Sequence, residues 1–128
     1  MIFVDSSYLI ALADEADSWH RRALKVSKDL PAGGIISDYV LSEAVTIVGH
    51  RGGGKAGRNL YESLIDNFEV VYVDEGLLGE SMDVYLKYDG TLSVADAVSV
   101  EIMRRRGIKK IVSFDRDFDK VEGISRIG

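Results

Sequence analysis

Short apolar runs alternate with helical stripes along the whole chain, and that alternation constrains the fold more than any other feature. Ile2-Phe3-Val4 is a continuous apolar run, which suits a strand buried on both faces of a parallel sheet. Gly34 to Ser37 (GIIS), Phe68 to Val73 (FEVVYV) and Lys110 to Phe114 (KIVSF) read as further strands, and Ile124 to Ile127 as a short edge strand. Helical patterns fill the gaps. Tyr8 to Leu12 is apolar and follows Ser6 and Ser7, a helix-start signal. Trp19, Ala23, Val26 and Leu30 recur at i, i+4, i+7 and i+11, with Asp17 or Ser18 as the expected cap. Val40, Leu41, Ala44, Val45, Ile47 and Val48 form one apolar arc of a helix running from Ser37 or Asp38 to about His50. Further helices are expected up to about Asn67, around Leu78, Met82 and Tyr85, and from Ser93 to Gly107, a C-cap glycine. Strands and helices alternating in this way imply a parallel α/β sheet layered with helices.

The acids stand at special places in that pattern. Asp5 ends the first strand, at the edge where open α/β sheets bind ligands, although a plain helix cap explains it equally well. Asp115 ends the late strand in the same way and opens the cluster Asp115-Arg116-Asp117-Phe118-Asp119. Glu43 lies at the margin of an apolar arc, in the second helical turn and too far in to cap. Asp96 shares a row with Val100 and Met103, but with Ser93 it also resembles a capping box. Carboxylates converging at one sheet edge repel one another unless protonated or bound to cations.

The rest of the composition narrows the chemistry. There are no cysteines, which removes disulfides, thiolate metal sites and cysteine nucleophiles. Two histidines, His20 and His50, are too few for a His-rich zinc site and supply no convincing triad; His20 reads as a packing residue. Oxygen-only ligands suit magnesium or manganese, and such an ion polarises a phosphodiester and makes hydroxide from water. Metal-assisted hydrolysis is therefore the favoured chemistry. A net charge of −5 argues against nucleic-acid binding only if the acid is not gathered around a cation. Arg51-Gly52-Gly53-Gly54-Lys55 is a basic, glycine-rich turn that does not match a P-loop. It reads better as a flexible connector, with RNA contact through Arg51, Lys55 and Arg58 as the lesser reading. Arg104 to Arg106 complement the helix dipole and read equally as a solvated face or, with Arg116, as a second RNA-facing group. A length of 128 residues favours one domain over residues 1–128. No apolar run approaches the roughly 20 residues of a membrane helix. The N-terminal apolar residues lack a basic leader, so no signal peptide and a cytoplasmic location are expected.

Several short motifs then fall in one order: Val4-Asp5-Ser6-Ser7, Asp17-x-x-His20-x-x-Ala23, Ser42-Glu43, Leu92-Ser93-Val94-Ala95-Asp96-Ala97 and Ser113-x-Asp115-x-Asp117-Phe118. With them the chain resembles a PIN domain, specifically the VapC-type toxin ribonucleases of type II toxin–antitoxin pairs. The resemblance implies a PIN-like three-layer α/β/α fold with a short parallel sheet of four to five strands. It implies magnesium- or manganese-dependent cleavage of single-stranded or loop RNA, a homodimer, and inhibition by a small antitoxin. It assigns catalysis and metal binding to Asp5, Glu43, Asp96 and Asp115, with Asp117 able to share the fourth role and Ser6 and Ser113 supporting the ligands. Ser113 stands where the family often has threonine. A magnesium-binding phosphoacceptor receiver domain, with Asp74 as acceptor, is the rival from another class. Against it, Asp5 stands alone, and the late strand ends in Phe114-Asp115 where a receiver carries lysine. A non-cleaving PIN-like scaffold is the third reading, disfavoured by the intact acid set.

Overall fold

A computed structural model describes residues 1–128. Five strands form one parallel sheet in the order β3-β2-β1-β4-β5. They are β1 (Phe3–Val4), β2 (Ile35–Ser37), β3 (Glu69–Val71), β4 (Lys110–Val112) and β5 (Ser125–Ile127). The helices are α1 (Ser6–Ala13), α2 (His20–Ser27), α3 (Asp38–Gly52), α4 (Gly54–Asn67), α5 (Glu75–Lys87) and α6 (Val94–Arg106), with a 3₁₀ turn at Arg116–Lys120. No helix is long and apolar enough to cross a membrane.

Right-handed crossovers put α1 to α4 on one face of this sheet and α5 and α6 on the other. The packing agrees: α1 lies against α2 and α3, α3 against α4, and α5 against α6. The result is the expected α/β/α sandwich. Helix α6 is caught between α5 and the sheet, so every residue from Ala97 to Met103 is buried. After β1 the chain runs to β2 and β3 at one edge of the sheet, whereas after β4 it runs to β5 at the other. The crevice between the C-terminal ends of β1 and β4 is thus a topological switch point, the usual ligand site of an open α/β sheet.

Three local departures from the sequence pattern have physical causes. Strand β3 is shorter than Phe68 to Val73, because the Val73 N–H donates to Asp38 Oδ1 at 2.9 Å instead of extending the ladder. The stripe from Trp19 to Leu30 is helical only from His20 to Ser27. Asp17 Oδ1 accepts the Trp19 N–H at 2.9 Å and starts the turn, while His20 Nδ1 lies 2.6 Å from the Ala11 carbonyl and fastens α2 to α1. The glycine-rich turn is a one-residue break, since α3 runs through Gly52, Gly53 takes φ 97°, and α4 starts at Gly54.

That break lets α3 and α4 pack backbone to backbone. A Cβ on Gly57 would sit 3.1 Å from both Gly49 Cα and the Val45 carbonyl oxygen, atoms that cannot swing aside. Gly79, exposed in the middle of α5, has nothing within 4 Å of the same position. Gly79→Ala should therefore stabilise the protein by about 0.5–1 kcal/mol through helix propensity. Gly57→Ala should lower the melting temperature despite the same propensity gain. Thermal denaturation of both variants against the parent checks the contrast, and a stabilised Gly57→Ala would refute the close α3–α4 packing.

Candidate functional site

Asp5 leaves β1 at the switch point and is 4% exposed. Its N–H donates to the Val112 carbonyl at 3.0 Å, which fixes its backbone against β4. Its Oδ2 accepts from Ser113 Oγ at 2.6 Å and from Ser7 Oγ at 2.8 Å. Those hydroxyls are themselves aimed by backbone amides. Ser113 Oγ accepts the Asp115 N–H at 3.0 Å, and Ser7 Oγ accepts the Phe114 N–H at 3.0 Å. Each serine so donates once and accepts once, and a loop, a strand end and a helix start are tied to one carboxylate. No arginine or lysine touches it. Burial raises the Asp5 carboxyl above its ordinary range, the two hydroxyls pull it partly back, and Asp115 adds repulsion.

Three more carboxylates face this one. Glu43 reaches in from the second turn of α3; the protein around it raises its carboxyl, Asp5 and Asp115 add repulsion, and the Ser6 hydroxyl opposes them. Asp96 comes from the first turn of α6 and is pushed up to about 7, by burial first and then by Asp5, Asp115 and Glu43. Asp96 is not the cap of its helix. Ser93 Oγ takes that role by accepting the Asp96 N–H at 3.1 Å. Asp115 Oδ1 accepts the Asp117 N–H at 2.9 Å and so starts the 3₁₀ turn. The Asp117 carboxylate is exposed and faces Lys120 Nζ at 3.5 Å. Asp5, Glu43, Asp96 and Asp115 therefore share one cleft at the C-terminal edge of the sheet. No three of them are drawn in tightly enough to form a coordination shell. Like charges so gathered repel one another, and the all-oxygen donor set matches a hard divalent cation.

Other residues singled out from the sequence have different places. Ser113 supports Asp5 directly, and Ser6 lies beside Glu43. Ser7, the second hydroxyl on Asp5, carries no signal of that role, because the pair Ser6-Ser7 does not reveal which one turns back to the strand end. Arg51 Nη1 bonds Asp14 and Asp17, both at 2.9 Å, and holds the end of α3 to the α1–α2 connection. Arg58 pairs with Glu62 within α4. Arg104 pairs with the buried Glu101, Arg105 with Glu80 and Arg106 with Glu69. These three arginines do not flank the cleft, because they end α6 about 12–15 Å along the helix axis from Asp96. Lys55 and Arg116 are exposed and make no ion pair. Asp74, the acceptor in the receiver reading, caps α5 by accepting the Leu77 N–H at 2.8 Å, at the end of an edge strand away from the crevice.

The chain is similar to known proteins of one family. Residues 2–124 match the family model described as the PIN domain. The 23S rRNA-specific endonuclease VapC20 of Mycobacterium tuberculosis is 30% identical over 123 residues, which is 92% of each chain. The crystal structure of that protein, described as a Sarcin-Ricin loop cleaving toxin, superposes with a TM-score of 0.84 at 28% identity over 93% of both chains. A toxin–antitoxin complex from Klebsiella pneumoniae shares the fold, with a TM-score of 0.74 at 16% identity, over 98% of this chain and 96% of that one.

The crowded acids dictate a pH signature. Asp5, Glu43 and Asp96 all have raised carboxyls in the fold, so the native state holds protons that the unfolded chain has released. Stability then falls as pH rises from the ordinary carboxylate range near 4 towards 7, where Asp96 titrates. Without divalent ions, Asp96→Asn should melt close to wild type at pH 4 and a few degrees above it at pH 8. Melting curves across that range check this, and a constant difference at every pH would show that Asp96 carries no such strain.

Proposed function

The chain belongs to the PIN domain family and, within it, to the VapC-type toxin ribonucleases, and on that premise we propose that it cleaves single-stranded or loop RNA with a divalent metal ion. The observation that carries the reading is the cleft in which Asp5, Glu43, Asp96 and Asp115 meet with no cationic side chain between them. Magnesium or manganese fits the donor set, held by Asp5, Glu43, Asp96 and Asp115, with Asp117 beside them on the 3₁₀ turn. Bound there, the ion supplies an acidified water and neutralises charge developing on the phosphate.

The protein's own groups have separable tasks. Asp5 is the fixed member, since Ser7 and Ser113 occupy only Oδ2 and leave it lone pairs for a ligand. Glu43, exposed on the rim, is the member free to swing in. Asp96 holds a proton near neutral pH, and a cation in the cleft would release it. The substrate class follows the relatives: one is named for its action on 23S rRNA, and its structure is described by a ribosomal loop. A small antitoxin as inhibitor, a homodimer, a cytoplasmic setting and a role as the toxin of a type II pair complete the proposal. The Klebsiella neighbour was solved as a toxin–antitoxin complex. Leu86 and Met82 on α5, at 75% and 41% exposure, offer the apolar surface a dimer needs.

Incubation of the purified protein with a mixed single-stranded RNA pool tests the reading. Cleavage should stop in EDTA and return with magnesium or manganese, but not with zinc, which prefers nitrogen and sulfur ligands. Metal should also raise the melting temperature of wild type, and Asp5→Ala should lose both the rise and at least about 100-fold of the activity. Cleavage that survives EDTA and Asp5→Ala would end the metal-nuclease assignment.

A further inference from the structure

Half of the chain's sixteen lysines and arginines are engaged in ion pairs. Of the remaining eight, Arg21, Arg22, Lys25 and Lys28 belong to one short stretch, α2 and the residue after it. All four are exposed, and no acid falls between Ser18 and Lys28. Ala23 and Val26 bury the opposite face against the core. In a protein of net charge −5, so concentrated a patch without ion pairs is an electrostatic footprint suited to a partner of opposite sign.

The start of that helix is linked to the acid cleft through Phe114. Trp19, its N-cap residue, stacks on Phe114 with ring centroids 4.9 Å apart and planes 8° from parallel. Phe114 is the link between Ser113 and Asp115, and its N–H is the group that aims Ser7 at Asp5. Trp19 is nevertheless 47% exposed, while Phe114 beneath it is buried. A large indole held flat by a buried ring, with nearly half its surface in water, is a preorganised stacking surface.

We propose that Trp19 on Phe114 receives an unpaired base of the RNA at the lip of the cleft, and that Arg21, Arg22, Lys25 and Lys28 carry the adjoining phosphates along α2. The inference rests on the ribonuclease reading and adds a footprint distinct from Arg51, Arg58 and Arg104, which are engaged in ion pairs. It also accounts for the acid cleft itself. A base stacked on Trp19 anchors the strand beside Asp115, where the carboxylates alone would repel it.

Trp19 is the only tryptophan, so its emission reports the stacking directly. A dye-labelled single-stranded RNA is titrated into Asp96→Asn with magnesium, with anisotropy following binding. The unlabelled strand should quench Trp19 to saturation at the same concentration, and an abasic strand of equal length should bind without quenching. Trp19→Ala should weaken binding about tenfold, with Trp19→Phe retaining most of it. Replacing Arg21, Arg22, Lys25 and Lys28 by Gln should flatten the log–log salt dependence by about 0.7 for each phosphate that is no longer neutralised. Binding by anisotropy with no quench, or an unchanged salt slope in the glutamine variant, would overturn the inference and leave α2 to a protein partner. RNA that does not bind at all, with no metal-dependent cleavage by wild type, would instead remove the ribonuclease reading and this inference with it.

Discussion

A buried carboxylate with no countercharge is the constraint on which the rest of this structure depends. Asp5 lies at the meeting point of β1 and β4, and only neutral groups, the Ser7 and Ser113 hydroxyls and the Ser6 backbone, hydrogen-bond its carboxylate. Burying an ionised group in that way is costly, and two hydrogen bonds offset only part of the cost. The fold accepts this because the surroundings of Asp5 are over-determined. The serines that bond it also accept the amides of Phe114 and Asp115, so the loop after β4 cannot relax without breaking both. Strand β1 needs only two residues, because its end is held from three directions. The sheet is correspondingly short, and the helices supply most of the core.

Much of this was legible in the sequence, and the limits are instructive. The strands and helices followed from apolar runs and helical stripes, which burial enforces directly. The convergence of the four acids was legible because each stood at an element end, and parallel crossovers bring those ends to one edge. Side-chain direction within a turn was not legible. Nothing in Ser6-Ser7 tells which hydroxyl returns to Asp5, and Trp19 matched an inward stripe yet sits at the cap of a helix that begins one residue later. The pairing of charges was not legible either. Arg51 reads as a free cation of a glycine-rich turn, but the turn is a single residue and the guanidinium meets Asp14 and Asp17, thirty-seven and thirty-four positions back.

Cations divide into two groups by what lies opposite them. Arg51, Arg104, Arg105 and Arg106 join elements distant in sequence, and their partners Asp14, Asp17, Glu80 and Glu69 balance them locally. Exposed pairs of this kind each contribute little to stability, but together they leave those surfaces nearly neutral. Helix α2 escapes the balance entirely. The same composition thus yields an acidic cleft, a neutralised body and one positive strip, an arrangement that net charge alone cannot disclose.

Screening turns that arrangement into a functional argument. At physiological ionic strength a charge is felt over about 8 Å. The arginines ending α6 lie about 12–15 Å along the helix from Asp96, beyond that reach even before their own glutamates are counted. They cannot counter the repulsion between the cleft and an approaching phosphate. Helix α2 starts one residue after Trp19, which stacks on Phe114, next in sequence to Asp115, and on the proposed reading it supplies that countercharge. On that reading, attraction at α2 and stacking at Trp19 would act before a strand meets the acids, and a divalent ion would be required only where the phosphodiester enters the cleft. Binding and cleavage would thereby rest on different residues, which would let the acids remain crowded and poorly compensated without costing the protein its hold on RNA.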